Sequence, residues 1–266
     1  MHCDAVGHRI VHLGELVVEA APIDDPVLRA IEQGAEVAPL HNRPALAAIE
    51  DARSALPDVP HVAVSDSWFH AGMNEEARRY AVPWPEIVRH GFHGLAVESV
   101  VEQMPMRAAR LVVCHLGGGC SVTAVRDGRS VDTTMGLTPL EGVPMVTRSG
   151  SLDPGALLYL LRSGRTVDEL DHALNEESGL TALGGLDEQG VVAYFAYHVA
   201  KAVAAMASVL GGVDAIAFSG GIGEHRADVR DAVAKRVRFL GARVHVVPAR
   251  EELVIARHVR RALGQR

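Results

Sequence analysis

Two glycine clusters are the first places in this chain where chemistry is possible, because each directly follows an apolar, strand-like run. They are His115-Leu116-Gly117-Gly118-Gly119 and Ser219-Gly220-Gly221-Ile222-Gly223-Glu224, the latter followed by His225. Glycine in such a turn lets backbone N–H groups approach a phosphate without a Cβ in the way. The second cluster also leads into a helical pattern, whose N-terminal dipole favours an anion. Neither matches the G-x-x-x-x-G-K-[ST] loop, and each alone reads equally well as a tight turn. Two of them in one chain raise the prospect of a split nucleotide site.

A second group consists of arginines and histidines set among short apolar residues. Gly7-His8-Arg9, Leu40-His41-Asn42, Asp66 with Phe69-His70, Gly91-Phe92-His93-Gly94 and Thr147-Arg148-Ser149 all fall at expected strand ends or in loops. Arginine meets carboxylate and phosphate oxygens bidentately, which suits a site that holds two anions together. The 14 histidines also raise metal binding. However, His8 and His12 lie four apart in a strand-like segment, not on a helix, and no H-E-x-x-H or closely spaced Cys pair occurs. Structural or exposed roles are expected for His2, His61, His172, His198, His245 and His258. No G-x-S-x-G elbow is present. Cys114 and Cys120, flanking the first glycine loop, read as small buried strand residues.

The elements that must position these residues alternate between strand and helix patterns, which predicts an α/β fold. Strands are expected at 4–12 and 60–65, with helices at 25–37 and 44–56 whose Pro26 and Pro44 suit first-turn positions. Residues 110–134 read as a three-stranded meander with an Asp127-Gly128 turn. A helix at 153–163 is capped by Asp153, and Thr166 with Glu169 has capping-box spacing for the next, ending near Gly179. A long helix at 191–210, a strand at 213–218, a loop at 219–225, a helix at 226–239, a strand at 242–247 and a helix at 251–263 complete the pattern. The 191–210 run is long enough to span a bilayer, but His198 and Lys201 sit within it; a core helix is expected.

Composition narrows the class. The chain has 266 residues, 48% hydrophobic and 22% charged, which excludes wholesale disorder. A net charge of −7 argues against a nucleic-acid coat. Three cysteines are too few for a disulfide scaffold and fit a reducing cytoplasm. No basic-then-apolar leader pattern opens the chain.

Taken in order, these pieces resemble the acetate kinase (acetokinase) family, a branch of the actin, heat-shock-chaperone and sugar-kinase superfamily. The matching blocks are AVGHRIVHLGE (5–15), PLHNRPAL (39–46), SDSWFH (65–70), GFHG (91–94), HLGGGCS (115–121), DTTMGLTPLEGVPMVTRSGSLDP (132–154), FSGGIGEH (218–225) and EELVIAR (251–257). The resemblance implies a two-lobe, ribonuclease H-like α/β fold. Its lobes would be 1–67 plus 251–266 and the nucleotide-binding 68–250. It implies reversible transfer of the ATP γ-phosphoryl group to acetate or propionate with Mg²⁺, in a cytoplasmic homodimer with no nucleic-acid or membrane partner.

Position by position, Arg9 and Arg148 match the family's arginine pair, His93 its transition-state histidine and His41 a supporting one. Asp66 matches the essential aspartate. Val11, Leu40, Phe92 and Pro139 match the acyl pocket, although core packing explains Val11, Leu40 and Pro139 equally well. His115, Leu116, Gly117, Gly118 and Gly119 would hold phosphates, with Gly221, Ile222, Gly223, Glu224 and His225 near the nucleotide. Asp187 would be a remnant of an adenosine-side element. Glu251 matches the metal-associated glutamate, with Glu252 as its alternative.

Some positions depart from the family pattern. The family's first phosphate loop would precede residue 5, which implies an incomplete N-terminal lobe. Gly118, Leu95-Ala96-Val97, Ser151 and His225 also differ from the family's usual residues. A catalytically impaired, ligand-binding or dimerising module is therefore the competing expectation.

Overall fold

The computed structural model describes residues 3–14, 16, 18–104 and 109–265. His2 and Glu15, named above, lie outside the described residues. The first sheet is formed by β1 (Val6–Ile10), β2 (Ala20–Pro22) and β3 (His61–Ser65) in the order β1-β3-β2. β1 runs parallel to β3, with Arg9 opposite Val64, and β2 runs antiparallel to it. Between them lie α1 (Asp25–Gly34) and α2 (Pro39–Ala55). Asp24 caps α1 by accepting from the Val27 amide at 3.0 Å, and Pro26 sits in its first turn. Val27, Ile31 and Ile49 of these helices pack with Ile10 and Ala63 of the sheet. The last helix, α10 (Glu251–Ala262), covers the other face through Val254 and Val259 against Val62 and Val64.

The second sheet has the order β6-β5-β4-β7-β8. Its strands are β4 (Arg110–Leu116), β5 (Cys120–Arg126), β6 (Arg129–Thr133), β7 (Ala215–Ser219) and β8 (Arg243–Val246). The expected meander is β4-β5-β6, and β7 and β8 add parallel strands beside β4. One face packs against α7 (Glu188–Leu210) and α9 (Ala227–Val237), burying Phe195, Val199, Val203, Val229 and Val233. α4 (Gly94–Gln103) covers the other face through Val97 and Val100. Its Leu95 packs instead with Val62 and Val64, so one helix joins the cores under both sheets. This explains an apolar Leu95-Ala96-Val97 run, fully or almost fully buried, where the family pattern is polar.

Several local expectations change. Pro44 lies inside α2, because Pro39 opens that helix and Pro44 falls in its second turn. The 219–225 segment is not a loop but a short helix, α8 (Gly220–His225), entered through Gly220 at φ +78°. Short elements at 20–22 and 75–78 (α3, Glu75–Arg78) have too little periodicity to be read. The Thr166–Glu169 capping box is present, and opens α6 (Val167–Glu176). The long helix buries one face rather than its whole circumference: Tyr194, Tyr197 and Val209 remain exposed. It has the length and hydropathy of a membrane span, yet its apolar stripe packs on the sheet. α5 (Pro154–Arg162) and α6 bury no residue.

Candidate active site

Asp66 follows directly on β3 and is fully buried. Its Oδ2 accepts from Arg9 Nη2 and from the His93 amide, each at 2.9 Å, and its Oδ1 accepts from the Leu95 amide at 3.3 Å. Burial alone would favour the neutral acid. Arg9, His93 and these hydrogen bonds outweigh it and hold the pKa at about 2. Asp66 is therefore a fixed carboxylate whose lone pairs are committed to positioning Arg9 and the start of α4. His93 adopts a left-handed φ of +61°, unusual for a side chain other than glycine and concentrated at functional sites. The turn is tight: a Cβ on Gly94 would stand 2.2 Å from the Asp66 carbonyl oxygen.

The His93 ring is half-buried, with Nδ1 3.2 Å from Ser121 Oγ and its centroid 4.6 Å from that of His115. Burial pushes its pKa well below the ordinary value, with His115 adding to the effect, so the imidazole is neutral near pH 7. Gly119 passes so close that a Cβ there would meet His93 Nε2 at 3.0 Å and Arg148 Nη1 at 3.5 Å. The first glycine loop and both side chains thus converge on one place. Arg148 is anchored by Nη1 to the Pro139 carbonyl at 3.4 Å, and its Nη2 lies 3.1 Å from His41 Nε2. Burial, then the neighbouring Arg148 and Arg9, lowers the pKa of His41, leaving Nε2 a neutral acceptor for the guanidinium.

Leu40, His41, Pro139 and Arg148 line one cavity of about 150 Å³, together with Val37 and Leu140. The pocket is small: Leu40, Pro139 and Leu140 give it an apolar wall and Arg148 a cation, as a short carboxylate needs, while Glu36 and Asp171 also line it. Leu40 is 45% exposed and stands at its rim. Val11 and Phe92 do not line it; they are buried in the core that also holds Ala38, Met135 and Met145.

The glycine loops divide in role. In the first, the Gly117 amide donates to the Gly119 carbonyl at 3.0 Å, and nothing lies within 4 Å of where a Gly118 Cβ would be. His115 is half-buried, lowered to about pKa 4 chiefly by desolvation, and its Nδ1 has no hydrogen-bond partner among the described residues. Leu116 is fully buried. In the second loop, Glu224 accepts from the Gly220 amide at 3.0 Å and the Ala249 amide at 3.1 Å, which fastens α8 to the segment leading into α10. Gly221 and His225 are exposed, Ile222 is half-buried and Gly223 buried. Asp187 caps α7 by accepting from the Gly190 amide at 2.8 Å, a sufficient structural reason for an aspartate there.

Glu251, the first residue of α10, brings Oε2 to 3.4 Å from Arg9 Nε. Burial raises its pKa, and Asp66 and Glu252 act in the same direction against Arg9. Glu252 points to solvent instead. Sequence reasoning did not single out Ser121, which alternation along β5 places inward beside His93. Nor did it find Arg89, whose Nη1 donates to the Thr133, Thr134 and Met135 carbonyls and so fixes the start of the long 132–154 block. Only their positions inside or next to quoted blocks signalled them. A different histidine–carboxylate cluster, His258 with Glu19 and Glu98, lies outside this site and is laced by Arg257 and Arg261 into an ion-pair network.

Residues 1–258 match the model of the Acetokinase family. The chain belongs to the acetokinase family. It is 44% identical to an acetate kinase of Synechococcus sp. (strain JA-2-3B'a(2-13)) over 91% of this chain and 66% of that one. It is 42% identical to an acetate kinase of Deinococcus deserti over 98% of this chain and 78% of that one. Among solved structures, a propionate kinase from Francisella tularensis superposes with a TM-score of 0.90 at 33% identity, covering 96% of this chain and 78% of that one. Porphyromonas gingivalis acetate kinase gives 0.87 at 30% identity, covering 98% and 78%. The two-sheet α/β architecture is thus the acetokinase fold, and the chain spans between about two thirds and four fifths of its relatives' lengths.

Proposed function

We propose that the chain moves the terminal phosphoryl group of ATP onto acetate or propionate, reversibly, giving the acyl phosphate and ADP. The convergence of Arg9, Asp66, His93, His41 and Arg148 beside the small 150 Å³ pocket carries this reading. The relatives include both an acetate and a propionate kinase, and one methylene shifts discrimination by only about 1–3 kcal/mol. Both acids therefore belong in the substrate class.

The carboxylate substrate is already ionised near neutrality, so no general base is required. Its methyl or ethyl group enters the pocket between Leu40 and Pro139, with its charge toward Arg148. A carboxylate oxygen forms the new P–O bond as the bond from phosphorus to the β–γ bridging oxygen breaks, and ADP leaves with that electron pair. Charge builds on the equatorial oxygens of the moving group. Arg148, Arg9 and a neutral His93 donate to these oxygens without reorganising, because Pro139, Asp66 and Ser121 already hold them. The backbone of His115–Gly119 provides amides for the nucleotide phosphates, with Gly221–His225 on the nucleotide side. Asp187 remains a proposed adenosine contact beside its capping role.

The donor set fits Mg²⁺, which takes one or two carboxylates and otherwise water and phosphate oxygens. Glu251 would hold it, since one oxygen faces Arg9 and its side chain is 25% exposed. Bound there, the ion would shield phosphate charge and orient the polyphosphate. Glu251→Gln is expected to raise the Mg²⁺ concentration for half-maximal activity by about tenfold or more, the scale of one lost charged ligand. Glu252→Gln should leave it unchanged. Equal effects of the two substitutions would reject the assignment.

A cytoplasmic homodimer closing between lobes 1–67 plus 251–266 and 68–250 completes the proposal. Leu158 (51% exposed) and Tyr159 (70% exposed) on α5 offer apolar area for the shared surface. Light scattering should give a dimer mass for the native chain and a monomer mass for Tyr159→Asp; a monomeric native chain would remove the dimer.

The direct test of activity is trapping of acyl phosphate as the hydroxamate from Mg-ATP with acetate or propionate. Product dependent on both substrates supports the reading. Its absence from protein that binds both substrates overturns it.

A further inference from the structure

A second cavity, about 840 Å³ in volume, lies beside the acyl pocket. Glu36 and Val37 line both, so one short segment forms a shared wall. His12 follows Val11, and Ser65 precedes Asp66; both residues face this larger space. Three observations give it the character of a ligand site.

First, His12 is only 4% exposed, yet its Nε2 has no hydrogen-bond partner among the described residues. The Gly14 amide donates to Nδ1 at 2.8 Å, so Nδ1 is the acceptor and Nε2 carries the proton. A buried N–H without an acceptor is costly and calls for a partner. Second, Arg78 lines the same cavity, is half-buried, and makes no ion pair or side-chain hydrogen bond among the described residues. The neighbouring Arg89 differs, since its guanidinium is fully used by Glu141 and four backbone carbonyls. Third, His90 joins the two donors: its ring meets that of His12 at 4.2 Å in a T-shaped contact and lies in the field of Arg78.

We infer that this cavity binds a small organic carboxylate, with one oxygen on His12 Nε2–H and the other on Arg78. Neither donor has another partner among the described residues, and carboxylate is the anion that one guanidinium and one N–H can serve. The wall is mixed, with Trp68, Ile87 and Leu137 offering apolar surface to an organic group. Exposed Glu36 and Glu86 at the lining disfavour a polyanion such as a nucleotide. Burial keeps His12, His70 and His90 neutral near pH 7, so Arg78 is the one cation not already engaged. Because the wall is shared with the acyl pocket, occupancy is expected to change the apparent KM for the carboxylate substrate. The inference does not depend on the phosphoryl-transfer reading.

Benzoate is a suitable probe, read through Trp68 fluorescence in a Trp84→Phe background so that a single tryptophan reports. Saturable binding is expected, weakened at least about tenfold by Arg78→Gln, the loss of one charge-assisted contact. His12→Phe should weaken it as well. Arg78 is partly exposed and makes no contact the fold relies on, so Arg78→Gln keeps the test valid if His12→Phe does not fold. Arg148→Ala should leave benzoate affinity within about twofold, since that residue belongs to the other pocket. No saturable signal, or affinity unchanged in Arg78→Gln, overturns the proposal. Loss of binding in Arg148→Ala would place benzoate in the acyl pocket and also overturn it. Inorganic phosphate binding as tightly as benzoate would overturn the assigned ligand class.

Discussion

Arg148→Ala is expected to lower kcat for acyl-phosphate formation by about 10³-fold or more, the scale found when one cation is removed from a phosphoryl-transfer transition state. The expectation rests on preorganisation. Pro139 O and His41 Nε2 hold the guanidinium, and Gly119 and His93 lie against it. Burial lowers the Arg148 pKa, but so basic a group as a guanidinium remains charged near neutrality. The side chain is partly exposed and makes no ion pair among the described residues, so the fold should lose little when it is truncated. Thermal unfolding of the variant is expected within a few degrees of the native chain, which separates a catalytic loss from a folding one. Arg148→Lys should recover only part of the rate, because an ammonium cannot span both neighbours in the plane of a guanidinium. Turnover near the native value in Arg148→Ala would remove this residue from the chemistry.

A second large effect concerns acid. His12, His70 and His115 are held at about pKa 4, in each case mainly by burial, and His93 lies well below its ordinary 6.5. An unfolded histidine takes up its proton near 6.5, so between pH 6.5 and 4 unfolding binds protons that the native chain refuses. Stability from these rings is complete above about pH 6.5 and falls as pH drops toward 4. Each ring contributes a slope of up to about 1.4 kcal/mol per pH unit, and three together up to about 4. The urea midpoint is therefore expected to fall steeply between pH 6.5 and 5. Asp66, with its pKa lowered to about 2, acts in a separate window: its contribution is intact above about pH 4 and lost only as pH approaches 2. His70→Asn should flatten the first transition, because His70 is fully buried between Ser130 Oγ at 2.8 Å and the Phe92 carbonyl at 3.0 Å. A midpoint constant from pH 7 to 5 would show that these rings are hydrated in solution.

The sheet strands and long helices were legible because their patterns are strong. The β4-β5-β6 meander, the Thr166–Glu169 capping box and α10 sit where alternation and capping place them. Elements of three or four residues, such as β2 and α3, carry too few positions for any period. α8 was hidden for a different reason: glycine opposes helix by propensity, and Glu224 overrides that by binding the Gly220 amide. Within the site, Arg9, Asp66, His41, His93 and Arg148 stood out by residue type and by their motif blocks. Their mutual distances did not, since Arg9–Asp66 and His41–Arg148 contacts span 57 and 107 positions. Val11 and Phe92 show the converse, because an apolar residue in a motif block reads the same whether it lines a pocket or packs beneath it.

α10 lies across β1 and β3 and delivers Glu251 to Arg9. On the ribosome, Arg9 and Asp66 emerge long before that carboxylate is made. Until then only Leu95 of α4 can cover Val62 and Val64, and the rest of that face of the first sheet is bare. Such a surface invites chaperones or other nascent chains, as is usual for unfinished apolar faces. Glu251 and the cover for the sheet then arrive in one event, so the candidate site cannot acquire its full charge set before the sheet beneath it is covered.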